Sequence, residues 1–175
     1  MPSGVVLIKF KGYKKYPIIL HSVAKELAEL RSKMSEKIYN KRTEKWRGDK
    51  EKEISYLGIL GELVAREFLI DKKIDFLAAK LVDFNPVPEP DIVLSDGMRL
   101  DVKGVKSYSK QFYVNYKAHQ NSEKICDFYW FVKFCQEDGY ADHYTVRYED
   151  VFGWEVKELT YTKAYVTDIE IKEGA

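Results

Sequence analysis

At 175 residues, 45% hydrophobic and 33% charged, the chain has the composition of one folded domain rather than of a disordered polymer. A domain of this size buries roughly 70% of the surface its unfolded chain exposes, enough for a self-sufficient core. A net charge of +1 names no partner, two cysteines are too few for a disulfide scaffold, and no apolar run is long enough to span a membrane.

In chain order, Val5–Phe10 reads as a short strand. Its apolar run, Val5–Ile8, ends at Lys9 and is too short for the core of a signal peptide. Val23, Leu27, Leu30 and Met34 recur at spacings of three and four and predict a helix over His21–Lys37, with Ser22 as its N-cap. The polar stretch YNKRTEKWRGDKEK, broken by Gly48, reads as a helix end and loop. A second helix is predicted over Glu53–Ile70, with Ile54, Leu57, Gly61, Val64 and Phe68 in one stripe. Gly58 and Gly61 inside it each cost about 1 kcal/mol relative to Ala and predict close approach of another backbone.

After this helix the period changes to two. Ile74–Leu81, Asp91–Leu94 and Met98–Val105 read as strands, the last two joined by an Asp96-Gly97 turn. Pro86, Pro88 and Pro90 exclude a strand interior just before Asp91. Phe112–Tyr116 reads as a short strand and Ala118–Ile125 as a short helix. Cys126–Cys135 is an apolar strand for the sheet centre, and its two cysteines, an odd number apart, face opposite ways. His143–Tyr148 and Ala164–Ile171 read as further strands, with a helical turn at Glu149–Phe152. The expected architecture is a single α/β domain, its central mixed β-sheet flanked by helices. The free cysteines and the absence of a membrane span predict a cytoplasmic protein.

Charge is uneven along the chain. Arg31–Lys52 holds nine Lys/Arg against four Asp/Glu, whereas Glu137 to the end holds four against ten. A basic segment of this kind, containing Arg42, Trp46 and Arg47, is either a clamp for a polyanion or a solvated helix face with a linker.

The stretch PDIVLSDGMRLDVKG carries the chemistry. Asp101 and Lys103 are two apart on a strand and share a face, with Leu100 and Val102 turned to the core. Asp91 opens the preceding strand. Two carboxylates brought this close call for a cation between them, and a hard ion such as Mg²⁺ suits them. With a neighbouring lysine, the set has the parts for metal-assisted phosphodiester hydrolysis. An ideal two-residue turn at Asp96-Gly97 would pair Val93 with Leu100 and Ile92 with Asp101, turning Asp91 to the other face. Convergence therefore predicts a bulge, a different loop register or a bend at Pro90.

Pro90-Asp91, nine intervening residues, then Asp101-Val102-Lys103 resembles the motif of the PD-(D/E)XK nuclease superfamily. The helix YLGILGELVAREFL is similar to that family's first core helix, where a Glu after a Gly often completes the site. The resemblance covers about Ser55 to Val132. It implies a restriction-endonuclease-like core at residues 53–135, preceded by a strand, helix and basic segment at 1–52 and followed by strands at 136–175. It also implies that Asp91, Asp101 and Glu62, with the Val102 carbonyl, bind Mg²⁺, with Mn²⁺ able to substitute. Lys103 would orient or activate a water for in-line attack. Gln120, with Lys117 behind it, is the candidate for the accessory residue that some members take from the next helix.

The segment VKSYSKQFYVNYKAH interleaves Lys106, Lys110 and Lys117 with Tyr108, Tyr113 and Tyr116, a pattern for phosphate contacts and base stacking. Nucleic acid, in the first place DNA, is the expected partner. A homodimer would suit cleavage of both strands. The alternatives are a nucleic-acid-binding module on the same fold with little catalysis, or an unrelated α/β protein. In the latter, Asp91, Asp101 and Lys103 belong to a surface hairpin with a cross-strand salt bridge worth about 0–1 kcal/mol, and Glu62 is an exposed helix charge paired with Arg66 at i+4. His21, His119 and His143 fall in separate segments, and His119 is expected at the surface.

Overall fold

The computed structural model describes residues 10–42, 49–82, 89–121, 126–160 and 162–169. The predicted strand at Val5–Phe10 therefore lies outside the described residues except for Phe10, which is buried.

Two long helices and two sheets make up the described structure. The first helix, α1, spans Ile19–Arg42, and the second, α2, spans Asp49–Asp71. Helix α1 starts earlier than its apolar spacing suggests. The Pro17 and Ile18 carbonyls accept from the N–H groups of Leu20 and His21, so Ser22 lies inside the first turn and is not the cap. Its buried face also differs: Val23 and Leu30 are exposed, whereas Ala24, Ala28 and Met34 are buried. The physical reason is the neighbour. This helix packs on another helix, and the two alanines permit a close approach that leucines would not.

The larger sheet has six strands: β1 (Gly12–Lys15), β2 (Phe76–Ala78), β3 (Ile92–Leu94), β4 (Arg99–Val105), β6 (Phe128–Phe134) and β7 (Tyr140–Arg147), in the order β1-β7-β6-β4-β3-β2. Only β4 and β6 are parallel, and all other neighbours are antiparallel. The chain between β4 and β6 carries β5 (Gln111–Asn115) and a short helix, α3 (Tyr116–Gln120). Strand β6 holds the sheet centre, and its near-continuous apolar run, FYWFVKF, follows from being covered on both faces.

One face of this sheet, with Leu100, Val102, Trp130 and Val132, packs against α2, which in turn carries α1. The opposite face, with Val105, Tyr129 and Phe131, is covered differently from the expected helices. A second sheet of three antiparallel strands lies there, in the order β5-β9-β8, with β8 at Glu155–Glu158 and β9 at Lys163–Asp168. Strand β8, Glu-Val-Lys-Glu, is mostly exposed and has no apolar alternation that could announce it. A 3₁₀ turn, Tyr148–Gly153, joins the two sheets. The fold is thus α/β with a mixed central sheet, two helices on one face and a small sheet on the other. Among the described residues no helix is long and apolar enough to cross a membrane.

Candidate active site

The turn between β3 and β4 decides where the charges meet. The N–H of Gly97 donates to the Leu94 carbonyl at 2.9 Å, and the Leu94 N–H donates to the Met98 carbonyl at 2.9 Å. Gly97 is left-handed, with φ of 87°, and Asp96 Oδ1 accepts from the Met98 N–H at 3.0 Å. The loop therefore has three residues, Ser95 to Gly97, a turn followed by a left-handed glycine that adds one residue to the strand. The ladder shifts by one: Ile92 pairs with Leu100 and Val93 with Arg99. Continuing that register sets Asp91 opposite Asp101, on one face. Of the irregularities that convergence required, the molecule uses a different loop register.

Strand β3 pairs with β4 only through these two residues, so beyond Asp91 the edge of β4 opens. The Asp91 carboxylate fills the first gap, accepting the Val102 N–H on Oδ2 at 2.7 Å. Because a strand residue presents its N–H and C=O to the same side, the Val102 carbonyl faces this edge too. Helix α2 comes down on the same end of β4. A Cβ built on Gly61 would lie 3.0 Å from the Cα and N of Gly104, and one built on Gly104 would lie 2.2 Å from the Leu57 carbonyl oxygen. Gly61 therefore makes the close approach expected of it. Gly58 does not, since its Cβ would meet nothing within 4 Å. Glu62, next to Gly61, is carried over the open edge, and its side chain is only 12% exposed.

Three carboxyls thus adjoin, with Asp91 within hydrogen-bonding reach of both Asp101 and Glu62. Burial, then Asp101 and Glu62, push the Asp91 carboxyl well above the ordinary carboxylate range. Burial also raises Glu62, although Arg31 and Arg66 pull against it. Lys103 Nζ lies 2.9 Å from Asp101 Oδ2 and 5.8 Å from the Tyr129 ring centroid. Burial works against the Lys103 ammonium, but Asp101 and Asp91 outweigh it, so its pKa lies above the usual lysine value. Lys103 is consequently a cation at neutral pH. It suits charge stabilisation and orientation rather than proton abstraction.

Two residues that sequence reasoning left without a role border this cluster. Arg66 Nη2 lies 4.0 Å from Glu62, the expected i,i+4 pair, but it also donates to the Ala79 carbonyl. Arg31 donates to the Leu81 carbonyl. Both tie the segment after β2 to the helices beside Glu62. Only the i,i+4 spacing of Glu62 and Arg66 hinted at this.

The remaining candidates lie elsewhere. Lys106 Nζ is bound to Glu53 and sits 5.6 Å from the Tyr108 ring centroid. Together with Lys110, these two line a cleft of about 790 Å³ that begins at Lys103. Lys117 is exposed on α3, and the neighbouring Gln120 amide donates to the Tyr165 hydroxyl at 2.6 Å. His119 is not at the surface: it is 1% exposed, with Nδ1 2.6 Å from the Tyr129 hydroxyl inside an aromatic cage. Arg42 ends α1, while Trp46 and Arg47 lie outside the described residues. Cys126 is buried and its thiol is pushed up to about 12, which excludes it as a nucleophile. Among the described residues no set of three or more His, Cys, Asp and Glu side chains stands in a ready metal-holding arrangement. No protein-family model matches the sequence, and no curated protein matches it.

Proposed function

We propose that the protein is a metal-dependent nuclease, hydrolysing phosphodiester bonds at the Glu62, Asp91, Asp101 and Lys103 cluster on a restriction-endonuclease-like core. The observation that carries this reading is the one-residue shift of the hairpin, which sets Asp91 opposite Asp101 beside Glu62. A fold gains little from crowding three carboxyls at one strand edge, where like charges repel and burial opposes ionisation. The upward direction of the Asp91 pKa has the same cause.

The donor types suit a hard divalent cation such as Mg²⁺, with Mn²⁺ as substitute: the carboxylates of Asp91, Asp101 and Glu62, and the Val102 carbonyl on the same open edge, would hold it once drawn together around the ion. When bound, the cation would supply Lewis-acid charge on the phosphate and lower the pKa of water. The chain's own groups do the rest. Asp91 is anchored by the Val102 N–H, so its carboxyl is preorganised. Lys103 is held at the site by Asp101 and presents a fixed positive charge to the phosphate oxygens that gain charge during in-line displacement. Arg66, 4.0 Å from Glu62, and the Arg31 charge nearby favour the Glu62 carboxylate form.

The test is incubation with plasmid, single-stranded DNA and RNA in Mg²⁺, in Mn²⁺ and in EDTA, alongside Asp101→Asn and Lys103→Met variants checked for folding by circular dichroism. Metal-dependent cleavage that disappears in both variants is expected. Cleavage that persists in both sinks the assignment, and binding without cleavage on any substrate favours a binding module.

A further inference from the structure

The cleft of about 790 Å³ that starts at Lys103 is not needed to hold a phosphate or a cation. Its volume is that of a small-molecule site, in the range of roughly 300–1,000 Å³. Leu57, Val105 and Phe131 border it, the last two buried in the core, so the rings open to a ligand are those of its tyrosines. Tyr108 and Tyr113, 72% and 45% exposed, stand in its wall. Exposed aromatic rings in a concave, lysine-rimmed site are surfaces prepared for another flat ring.

Both rings are held in place. The Tyr113 hydroxyl donates to Gln111 Oε1 at 2.9 Å, and the same amide donates to Asp168 Oδ1 at 2.9 Å. The amide thus fixes one edge of the Tyr113 ring and occupies the acidic residue of the wall. Lys106 covers one side of Tyr108, anchored in turn by Glu53. Lys110 and Lys103, the latter paired with Asp101, also line the cleft.

We propose that this cleft receives an unpaired base, so that the substrate is single-stranded or locally unwound nucleic acid, with the adjoining phosphate delivered to Lys103. The inference rests on the nuclease reading for the position of the scissile phosphate. In a duplex a base offers only its edges, because its faces are stacked on its neighbours. The tyrosine faces can engage only a base that has left the stack. The lysines then follow the backbone on either side without reading sequence.

Fluorescence anisotropy in EDTA tests this without catalysis. The probes are an oligo(dT) strand of about 20 nucleotides, long enough for any single-strand site, and a blunt duplex of the same length. Binding of the single strand should be at least about tenfold tighter than that of the duplex, and Tyr108→Ala and Tyr113→Ala should each weaken it by roughly 5- to 150-fold. Tyr108→Phe should keep most of the affinity, since the ring face remains. Equal affinity for both probes, or single-strand binding unchanged in both alanine variants, overturns the proposal. The nuclease reading fails separately. Tyrosine-dependent single-strand binding with no cleavage in Mg²⁺ supports the cleft and rejects the nuclease, whereas tyrosine-independent cleavage of intact duplex does the reverse.

Discussion

Replacing Gly104 with alanine tests the contact on which the whole site depends. The added Cβ would lie 2.2 Å from the Leu57 carbonyl oxygen, 2.9 Å from its carbon and 3.2 Å from Leu57 Cγ. Ordinary contact begins near 3.4 Å, so strand and helix must part by roughly 1 Å. Two of the three obstructing atoms are helix backbone and cannot rotate away. Overpacking costs typically about 1–3 kcal/mol when side chains absorb it, so a backbone clash belongs at or above the upper end. At about 2–4 °C per kcal/mol for a chain of this size, Gly104→Ala should melt about 6–12 °C below wild type. Gly58→Ala is the internal control. Its Cβ meets nothing within 4 Å, and exchanging glycine for alanine in a helix gains up to about 1 kcal/mol, so its melting temperature should rise by about 2–4 °C. Thermal unfolding followed by circular dichroism reads both. A Gly104→Ala protein melting within about 2 °C of wild type would refute the packing of α2 on β4, and with it the placement of Glu62.

Other expectations concern pH and salt. Asp91 titrates higher in the folded chain than in the unfolded one, so its contribution is fully present below the ordinary carboxylate pKa and is lost as pH rises through its raised folded value. Without metal, Asp91→Asn should therefore melt above wild type at neutral pH and coincide with it near pH 4; a lower melting temperature at neutral pH would contradict the crowding of the three carboxyls. His143 behaves in the opposite sense. Burial, with Lys14 nearby, lowers it from 6.5 to about 4, and its Nδ1 accepts from Trp130 Nε1 at 2.9 Å. Its contribution is present above pH 6.5 and is lost as pH falls through about 4, amounting to roughly 3 kcal/mol. An NMR titration should find its imidazole still neutral at pH 5, and a charged ring there would refute the burial. Finally, Lys110→Ala should reduce the magnitude of the salt slope of single-strand binding by about 0.7, the contribution of one phosphate contact; an unchanged slope would remove Lys110 from the interface.

Several features were legible in the sequence because they are local. The spacing of Leu57, Gly61, Val64 and Phe68 announced α2, and the unbroken apolar run around Trp130 announced the central strand. The pattern Leu100-Asp101-Val102-Lys103 set core against charge with period two. The close backbone approach at Gly61 follows from the cost of a glycine inside a helix, although the same reasoning fails at Gly58. These depend on neighbours within a turn or a strand, and hydrophobic periodicity records them.

Other features were decided only by long-range packing. Whether the Asp96-Gly97 turn has two or three loop residues changes no hydrophobic spacing, yet it determines whether Asp91 meets Asp101. The buried face of α1 shifted from Val23 and Leu30 to Ala24 and Ala28 because a helix, not a sheet, covers it. The second sheet was hidden because β8 is nearly all exposed and makes its hydrogen bonds to β9. His119 is expected at the surface and lies inside a cage drawn from three other segments, with Tyr129, Tyr148, Phe152 and Tyr165 as its walls. The sequence by itself determined which residues carry charge and which strands and helices carry them. Their meeting at one open strand edge required long-range packing, because Glu62 is 29 positions from Asp91 and 39 from Asp101, and no local pattern reaches that far.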